Sequence, residues 1–173
     1  MADETTTDLE STLPGTDSRS GYRGTAAASA VGISYRQLDY WDRTGLVQPS
    51  VRGASGSGTQ RLYSFRDILV LKLVKNLLDT GVSLQQIRTA VEELRASGIN
   101  DLAKITLMSD GARVYLCTTQ DEVIDLLGRG QGVFGIAVGR VLKDVEATLV
   151  NIHADSLTDV DELATRRQRK QAV

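Results

Sequence analysis

The chain has 173 residues, of which 41% are hydrophobic and 24% are charged, and its formal net charge is −2. This composition is ordinary for a globular protein of one or two domains. No apolar run approaches the ~20 residues of a membrane span, and the acidic start is unlike a signal peptide. We therefore expect a cytoplasmic protein without a membrane partner. The single cysteine, Cys117, cannot form an internal disulfide, which fits a reducing compartment.

The charges are segregated along the chain. Residues 1–18 hold five acids and no base, whereas residues 19–75 hold nine bases against three acids, a balance of +6. A segment of this sign suits phosphate contact, although any single arginine is equally explained as a solvated surface charge. Residues 1–20 are too poor in apolar side chains to order themselves, and 153–173 is predicted to be a flexible basic tail that adds nonspecific DNA attraction.

Two short helical patterns separated by a turn follow the acidic arm. The alanine-rich residues 25–30 predict a first helix that ends at Gly32, which can adopt the left-handed conformation. Ser34, with Gln37 three residues later, predicts the capped start of a second helix that ends at Gly45. The 3.6-residue period places Tyr35, Leu38 and Trp41 near one face and, toward the other, Arg36, Asp39, Tyr40 and Arg43. Together these patterns predict a helix-turn-helix that reads DNA.

A glycine- and serine-rich stretch lies between Arg52 and Arg61. A flexible tip flanked by short extended pieces, each with an arginine, is what a β-wing needs to lie along a phosphate backbone. A plain linker is the alternative, and the two arginines with Tyr63 favour the wing.

Two further capped helices complete this unit. Ser64 with Asp67 opens a strongly apolar helix that we expect to be core, and Ser83 with Gln86 opens a fourth helix. Four helices and a wing then form one module over residues 21–97.

These features, in this order, resemble the DNA-binding domain of the MerR family of bacterial transcription regulators. The match covers nearly half the chain and consists of Gly32-Ile33-Ser34, Arg36, Leu38, Tyr40-Trp41-Asp42-Arg43, Gly45-Leu46-Val47, Arg61-Leu62-Tyr63 and Gly81-Val82-Ser83 with Ile87. The resemblance implies a winged helix-turn-helix homodimer that binds double-stranded DNA at a near-palindromic promoter site. It also implies that the regulator bends or untwists the DNA so that RNA polymerase can engage.

The resemblance implies DNA contacts at Arg36, Tyr40, Arg43, Arg61 and Tyr63. Arg36, in the first turn of the recognition helix, is best placed to reach a base edge, where a bidentate contact to guanine gives about 1–3 kcal/mol of discrimination. The other four are expected to hold phosphates. The complete set of candidate DNA contacts is Arg23, Thr25, Ser34, Tyr35, Arg36, Tyr40, Arg43, Arg52, Arg61 and Tyr63.

Two residues depart from the family pattern. Asp39 stands where many relatives carry a basic or neutral polar residue, and it either accepts from a cytosine amino group, pairs with Arg36 or Arg43, or points away from DNA. Leu62 replaces the second arginine of the common wing pattern, which removes one phosphate contact.

The second half predicts a small α+β domain over 98–152. Helix four is interrupted after about 15 residues, too few for the long coiled coil through which typical members of the family dimerise. Two apolar stretches around Asp110-Gly111 predict a hairpin, Thr119 with Glu122 predicts a short helix, and residues 133–138 predict a third strand. The spacing over 141–152 favours a helix slightly over a strand. The fold class is therefore α+β.

This half resembles an actinobacterial-type subset of MerR-like regulators, which implies dimerisation through the C-terminal domain and the sensing of an unidentified small-molecule effector. Exposed edges of a small sheet offer one way to pair two subunits. The glycine-rich segment 128–139 lacks phosphate-loop and dinucleotide signatures, so no cofactor is expected. Arg129 and Arg140 form a weak candidate for an anion clamp.

No enzyme is predicted, because neither a catalytic triad nor a carboxylate pair stands out. Cys117 and the lone His153 are too few to form a thiol-type metal site, so Cys117 is expected to be a small core residue or a neutral surface thiol. Two functions remain. The first is a nucleoid-associated, sequence-specific transcription regulator, and the alternative is a ligand- or protein-binding adaptor whose C-terminal domain carries the main function.

Overall fold

A computed structural model of the protein describes residues 21–54, 60–129 and 133–152. The predicted acidic arm over 1–20 and the basic tail over 153–173 lie outside these residues. No helix in the described ranges is both long enough and apolar enough to cross a membrane.

The first half contains four helices and two short strands. In chain order these elements are β1 (Tyr22–Arg23), α1 (Gly24–Val31), α2 (Tyr35–Arg43), β2 (Leu62–Tyr63), α3 (Phe65–Asp79) and α4 (Leu84–Ala96). They match the four helices that the sequence patterns predict.

The predicted helix boundaries are confirmed by the hydrogen bonds at their ends. Ser34 Oγ accepts from the Gln37 amide at 3.1 Å at the start of α2. Ser64 and Asp67 form the reciprocal capping box of α3, because Ser64 Oγ accepts from the Asp67 amide and Asp67 Oδ2 accepts from the Ser64 amide at 2.8 Å. Gly32 ends α1 with a φ of 79°, a value that glycine adopts without a steric cost.

Helix α3 is the centre of the core, as its apolar sequence predicts. The residues of α3 that are buried occupy most of its surface and are Phe65, Ile68, Leu69, Val70, Leu71, Leu73, Val74 and Leu77. Helices α1 and α4 both pack against α3. The helix-turn-helix therefore rests, through α1, on the apolar face of α3.

The glycine- and serine-rich stretch connects the two legs of the wing, one at Arg52 and the other at Leu62 in β2. Strand β1 pairs antiparallel with β2, with Tyr22 opposite Tyr63 and Arg23 opposite Leu62. On the other side of β2, Arg52 bridges to Leu62 through backbone hydrogen bonds of 3.1 Å and 2.8 Å. This pairing confirms a wing rather than a plain linker, and residues 55–59 of its tip lie outside the described residues.

The second half contains a three-stranded antiparallel sheet with helices. Its elements are α5 (Ile99–Leu102), β3 (Thr106–Ser109), β4 (Val114–Cys117), α6 (Gln120–Gly128), β5 (Phe134–Ala137) and a final helix α7 over residues 138–152. The strand order is β4-β3-β5, and Gly111 in the hairpin turn has a φ of 86°. The predicted hairpin and third strand are confirmed, and the open choice at 141–152 resolves as a helix.

The two halves share one apolar cluster. Leu102, Ile105 and Leu107 of the second half belong to the same cluster as the buried residues of α3 and α4, together with residues of α7 such as Val145 and Leu149. Helix α4 also contacts β4. The apolar packing is thus continuous across position 98, and the domain boundary there remains a prediction.

We expect Gly139→Ala to lower the free energy of unfolding by about 1–3 kcal/mol, the usual cost of overpacking. A Cβ at Gly139 would lie 2.5 Å from the backbone oxygen of Ala103, which cannot move aside as a side chain can. Urea unfolding followed by circular dichroism measures the change. Gly128→Ala is the matched control, because a Cβ there meets no atom within 4 Å. Equal unfolding midpoints for the two variants would contradict this packing.

Candidate nucleic-acid interface

Helix α2 has one buried and one exposed face. Leu38 and Trp41, three residues apart, are 0% and 2% exposed and anchor the helix in the core. Arg36, Tyr40 and Arg43 are exposed on the remaining surface. The Arg36 side chain, in the first turn, makes neither a hydrogen bond nor an ion pair with another described residue. Its guanidinium is therefore available to a ligand.

Tyr35 lies at the edge of the face that carries Leu38, because both side chains come within 4 Å of a Cβ placed at Gly24. Its side chain is 51% exposed. A Cβ added at Gly24 would lie 2.9 Å from Tyr35 Cε2, so the ring lies over the start of α1. Tyr35 is the first residue of α2, and it shares the side of Leu38 as the helical period predicts while half of its side chain stays exposed.

The C-terminal end of α2 is held by two arginines of α4. Arg88 Nη1 donates to the Thr44 carbonyl at 2.8 Å, and Arg95 Nη2 donates to the Leu46 carbonyl at 3.0 Å. The last carbonyls of a helix lack partners within the helix and carry partial negative charge, so a cation stabilises them. Helix α4 thereby fixes the end of the recognition helix.

The side chains of the wing alternate between two faces. Residues directly opposite each other in an antiparallel pair share a face, so Arg23 and Arg52 flank Leu62 on one side of the small sheet. Both arginines are exposed. Arg61 and Tyr63 precede and follow Leu62 along the strand and therefore face the opposite side, toward the protein.

Arg61 is engaged by two carboxylates of α2. Its Nη2 lies 2.7 Å from Asp39 Oδ1, and its Nε lies 2.7 Å from Asp42 Oδ2, an ion pair that is not aligned as a hydrogen bond. Asp39 Oδ2 is also 2.7 Å from Arg43 Nη2. Of the alternatives for Asp39, the structure selects pairing with Arg43, and it adds Arg61, which the sequence patterns did not indicate.

The surroundings of Asp39 and Tyr63 shift the pKa of each side chain. The hydrogen bond from Arg61 lowers the pKa of Asp39, and the positive charges of Arg43 and Arg61 lower it further against the opposing effect of desolvation. Burial raises the pKa of Tyr63 well above the ordinary value for a tyrosine. Asp39 therefore stays ionised, and Tyr63 stays neutral, across the physiological range.

Comparison with known proteins identifies the family. The model of the MerR HTH family regulatory proteins matches residues 22–94. An uncharacterized HTH-type transcriptional regulator of Mycobacterium tuberculosis (strain ATCC 25618 / H37Rv) is 57% identical over 157 residues, which cover 87% of this chain and 70% of that protein. The chain belongs to the MerR family of transcription regulators.

More distant transcription regulators are also similar to the chain. The heavy metal-dependent transcription regulator 1 of Rhizobium meliloti (strain 1021) is 34% identical over 65 residues, 38% of this chain and 42% of that protein. Among solved structures, HiNmlR, a MerR family regulator lacking the sensor domain and bound to promoter DNA, is 21% identical with a TM-score of 0.37, covering 87% of this chain and 93% of that chain.

Two of the DNA contacts expected from the MerR resemblance lie in shielded positions, and their contact with DNA remains a prediction. Tyr63 is 0% exposed, and the Arg61 side chain is 13% exposed and bound to carboxylates, so neither is available to a phosphate in this structure. Both side chains lie on the inward face of the wing strand. Tyr40 and Arg43 remain accessible, with 54% of the Tyr40 residue and 74% of the Arg43 side chain exposed.

The positive charges of the MerR module divide into those already bound within the protein and those exposed to solvent. Arg66 donates to the Leu94 carbonyl at 3.0 Å, Lys72 donates to the Val31 carbonyl at 3.2 Å, and Lys75 pairs with an aspartate of its own helix. These cations stabilise helix ends and helix surface. Among the described residues of 19–75, the basic side chains that stay exposed are Arg23, Arg36, Arg43 and Arg52.

Three residues help to place the recognition helix although the sequence patterns did not indicate this role: Asp42, Arg88 and Arg95. One signal for the contact between Asp42 and Arg61 was available in the sequence. Strand residues alternate between two faces, so Arg61 shares a face with Tyr63, an aromatic side chain that favours burial. Nothing in the sequence paired Arg88 and Arg95 with carbonyls more than forty positions away.

The second half holds a cleft of about 260 Å³. It is lined by Asp110, Arg113, Tyr115, Leu126, Arg129 and Val133. The structure thus brings Arg129 near Arg113, whereas Arg140 is not among the lining residues. Cys117 is 3% exposed, which confirms the core alternative, and burial raises the pKa of its thiol. In the described part of the chain, no three His, Cys, Asp or Glu residues are grouped to hold a metal ion.

We expect Tyr63→Phe to raise the free energy of unfolding by about 1 kcal/mol, because the buried Tyr63 hydroxyl has no hydrogen-bond partner among the described residues and its desolvation is uncompensated. Urea unfolding measures this effect, and DNA affinity should not change. Tyr40→Phe is the matched control at an exposed tyrosine and should leave stability unaltered. Weaker DNA binding by a stable Tyr63→Phe protein would restore Tyr63 as a DNA contact.

Proposed function

We propose that this MerR-family transcription regulator binds double-stranded DNA as a homodimer at a near-palindromic promoter site. The observation that carries the proposal is the state of Arg36, which is exposed and unengaged on a helix whose opposite face is fixed by Leu38 and Trp41. A rigidly held helix with an accessible arginine in its first turn can enter the major groove and read guanine.

The remaining exposed groups suit the DNA backbone. Tyr40 and Arg43 would hold phosphates beside the recognition helix, and Arg23 and Arg52 would hold them from the outer face of the wing. Three further candidates lie at the starts of α1 and α2 and are exposed: Thr25, Ser34 and Tyr35. Contacts from both helix and wing would allow the dimer to bend or untwist the promoter, so that RNA polymerase can engage.

We place the homodimer contact in the C-terminal region, residues 98–152. The outer edge of β5 pairs with no other described strand, and an unpaired edge can accept a second chain. Helix α6 has no buried residue, and Ile124 and Leu127 on it are 55% and 52% exposed. Exposed aliphatic side chains on a short helix favour a contact between subunits. The regulator would act in the cytoplasm at the nucleoid.

We expect Arg36→Ala to weaken binding to the preferred site by about 10- to 100-fold, in line with the 1–3 kcal/mol of a bidentate base contact. Binding to a scrambled duplex should change much less. Fluorescence anisotropy with a duplex that the wild-type protein selects from a random pool measures both affinities. Arg140→Ala removes the same charge at an exposed site on α7 and serves as the control. Unchanged specific affinity for Arg36→Ala would refute the assigned base reader.

We expect the paired substitution Ile124→Asp with Leu127→Asp to shift the protein from dimer to monomer, because it places charges in a contact that must exclude water. Analytical ultracentrifugation measures the oligomeric state across concentrations. Gln85→Asp adds a charge at an exposed position on α4 and should leave the dimer intact. Crosslinks that map an interface wholly within residues 21–97 would place dimerisation elsewhere.

A further inference from the structure

Both legs of the wing are tied to helices by polar contacts. On the first leg, the Ser50 amide and Oγ donate to Asp67 Oδ2 at 2.8 Å and 2.7 Å, which joins this leg to the start of α3. On the second leg, Arg61 reaches two carboxylates of α2 at 2.7 Å each. The wing therefore has a defined position relative to the recognition helix.

The contact between the second leg and α2 joins one guanidinium to two carboxylates. Asp39 and Asp42 are three residues apart on α2 and so project from the same side of the helix. The guanidinium of Arg61 spans both carboxylates, with Nη2 paired to Asp39 and Nε held beside Asp42 by charge alone, without hydrogen-bond alignment. All three side chains are largely shielded, at 23%, 14% and 13% exposure.

We infer that Asp39, Asp42 and Arg61 form a wing clamp that positions the recognition helix and the wing as one rigid DNA-reading unit. Arg61 is then a positioning residue and not a phosphate ligand, and Asp39 is not a base reader. This inference rests on the proposed function, and it names the residues that set the geometry of that function.

Charge distinguishes the clamp from a phosphate site. A phosphate that approached the shielded Arg61 would also approach the carboxylates of both Asp39 and Asp42, which repel it. Arg43 pairs with Asp39 alone, and 74% of its side chain stays exposed. If charge alone governed binding, removal of either carboxylate would tighten DNA binding. The clamp predicts the opposite change in DNA affinity, because loss of a carboxylate releases the wing from the helix.

The clamp matters because the parts that it joins are short. Helix α2 has nine residues, and β2 has two. Helices of this length are marginal without tertiary contacts. Arg36 on the helix and Arg52 on the wing must reach the DNA together, and a fixed spacing lets one duplex geometry satisfy both.

The test compares Asp42→Asn, Asp39→Asn and Arg61→Gln with the wild-type protein in full-length form. Each is titrated by fluorescence anisotropy against the duplex that the wild type selects and against a scrambled duplex of equal length, over a series of salt concentrations. Asp79→Asn is the matched control, since it removes an aspartate that pairs with Lys75 on α3, remote from the clamp residues in sequence. Far-UV circular dichroism verifies that each variant is folded.

We expect each clamp variant to lose about tenfold in specific affinity, a typical coupling between residues in one network. The slope of log K against log salt should stay constant, and binding to the scrambled duplex should change little. The control should match the wild type. A tighter specific complex for the aspartate variants, or a salt slope reduced by about one for Arg61→Gln, would overturn the clamp and identify Arg61 as a phosphate contact.

A second measurement is independent of DNA. Amide hydrogen exchange should accelerate in α2 and β2 of the Asp39→Asn protein and stay unchanged in α6, because the clamp holds only the first two elements. If α2 and β2 exchanged at the same rates in the wild type and in the variant, the clamp would be overturned even if the wild-type protein bound DNA. If the wild type selected no duplex, the proposed function would fail, and this exchange experiment would still decide on the clamp.

Discussion

The burial of Leu38 and Trp41 against the helical core is the contact on which the rest of the interface depends. A nine-residue helix has little stability of its own, so the position of α2 comes from its neighbours. Helix α1 contacts α2 directly, and α1 in turn packs with α4 against α3, whose buried residues occupy most of its surface. With its inner face immobile, α2 can hold Arg36 at a constant height above the surface.

Arginine performs two different tasks in this fold, and the partner that each guanidinium finds separates them. Arg88 and Arg95 donate to carbonyls that follow the recognition helix, where they replace water as partners of unpaired acceptors. Arg36 and Arg43 extend into solvent from the same helix. A net charge taken over the whole module therefore overstates the charge that DNA can meet, because several cations are already committed to the protein.

Local patterns in the sequence predicted the helices and the wing, but not which way the side chains of the wing face. Ser34, Ser64 and Gly32 marked helix ends correctly, since caps depend on residues within three or four positions. The family resemblance assigned Arg61 and Tyr63 to DNA, yet both face the protein. Their orientation is fixed by the register between β2 and its neighbours, which involves residues ten to forty positions away.

By itself, the sequence determined the order of helices and strands, the capped ends and the wing, because these follow from periodicity and short-range hydrogen bonding. The family was indicated by the resemblance of its motifs to those of known regulators. The tertiary structure alone decided which arginines are available and what Asp39 does. A side chain such as Arg61 can meet either a phosphate or a carboxylate, and the choice depends on what the fold places within 3 Å of it. That placement is a property of packing between distant segments, which no local pattern encodes.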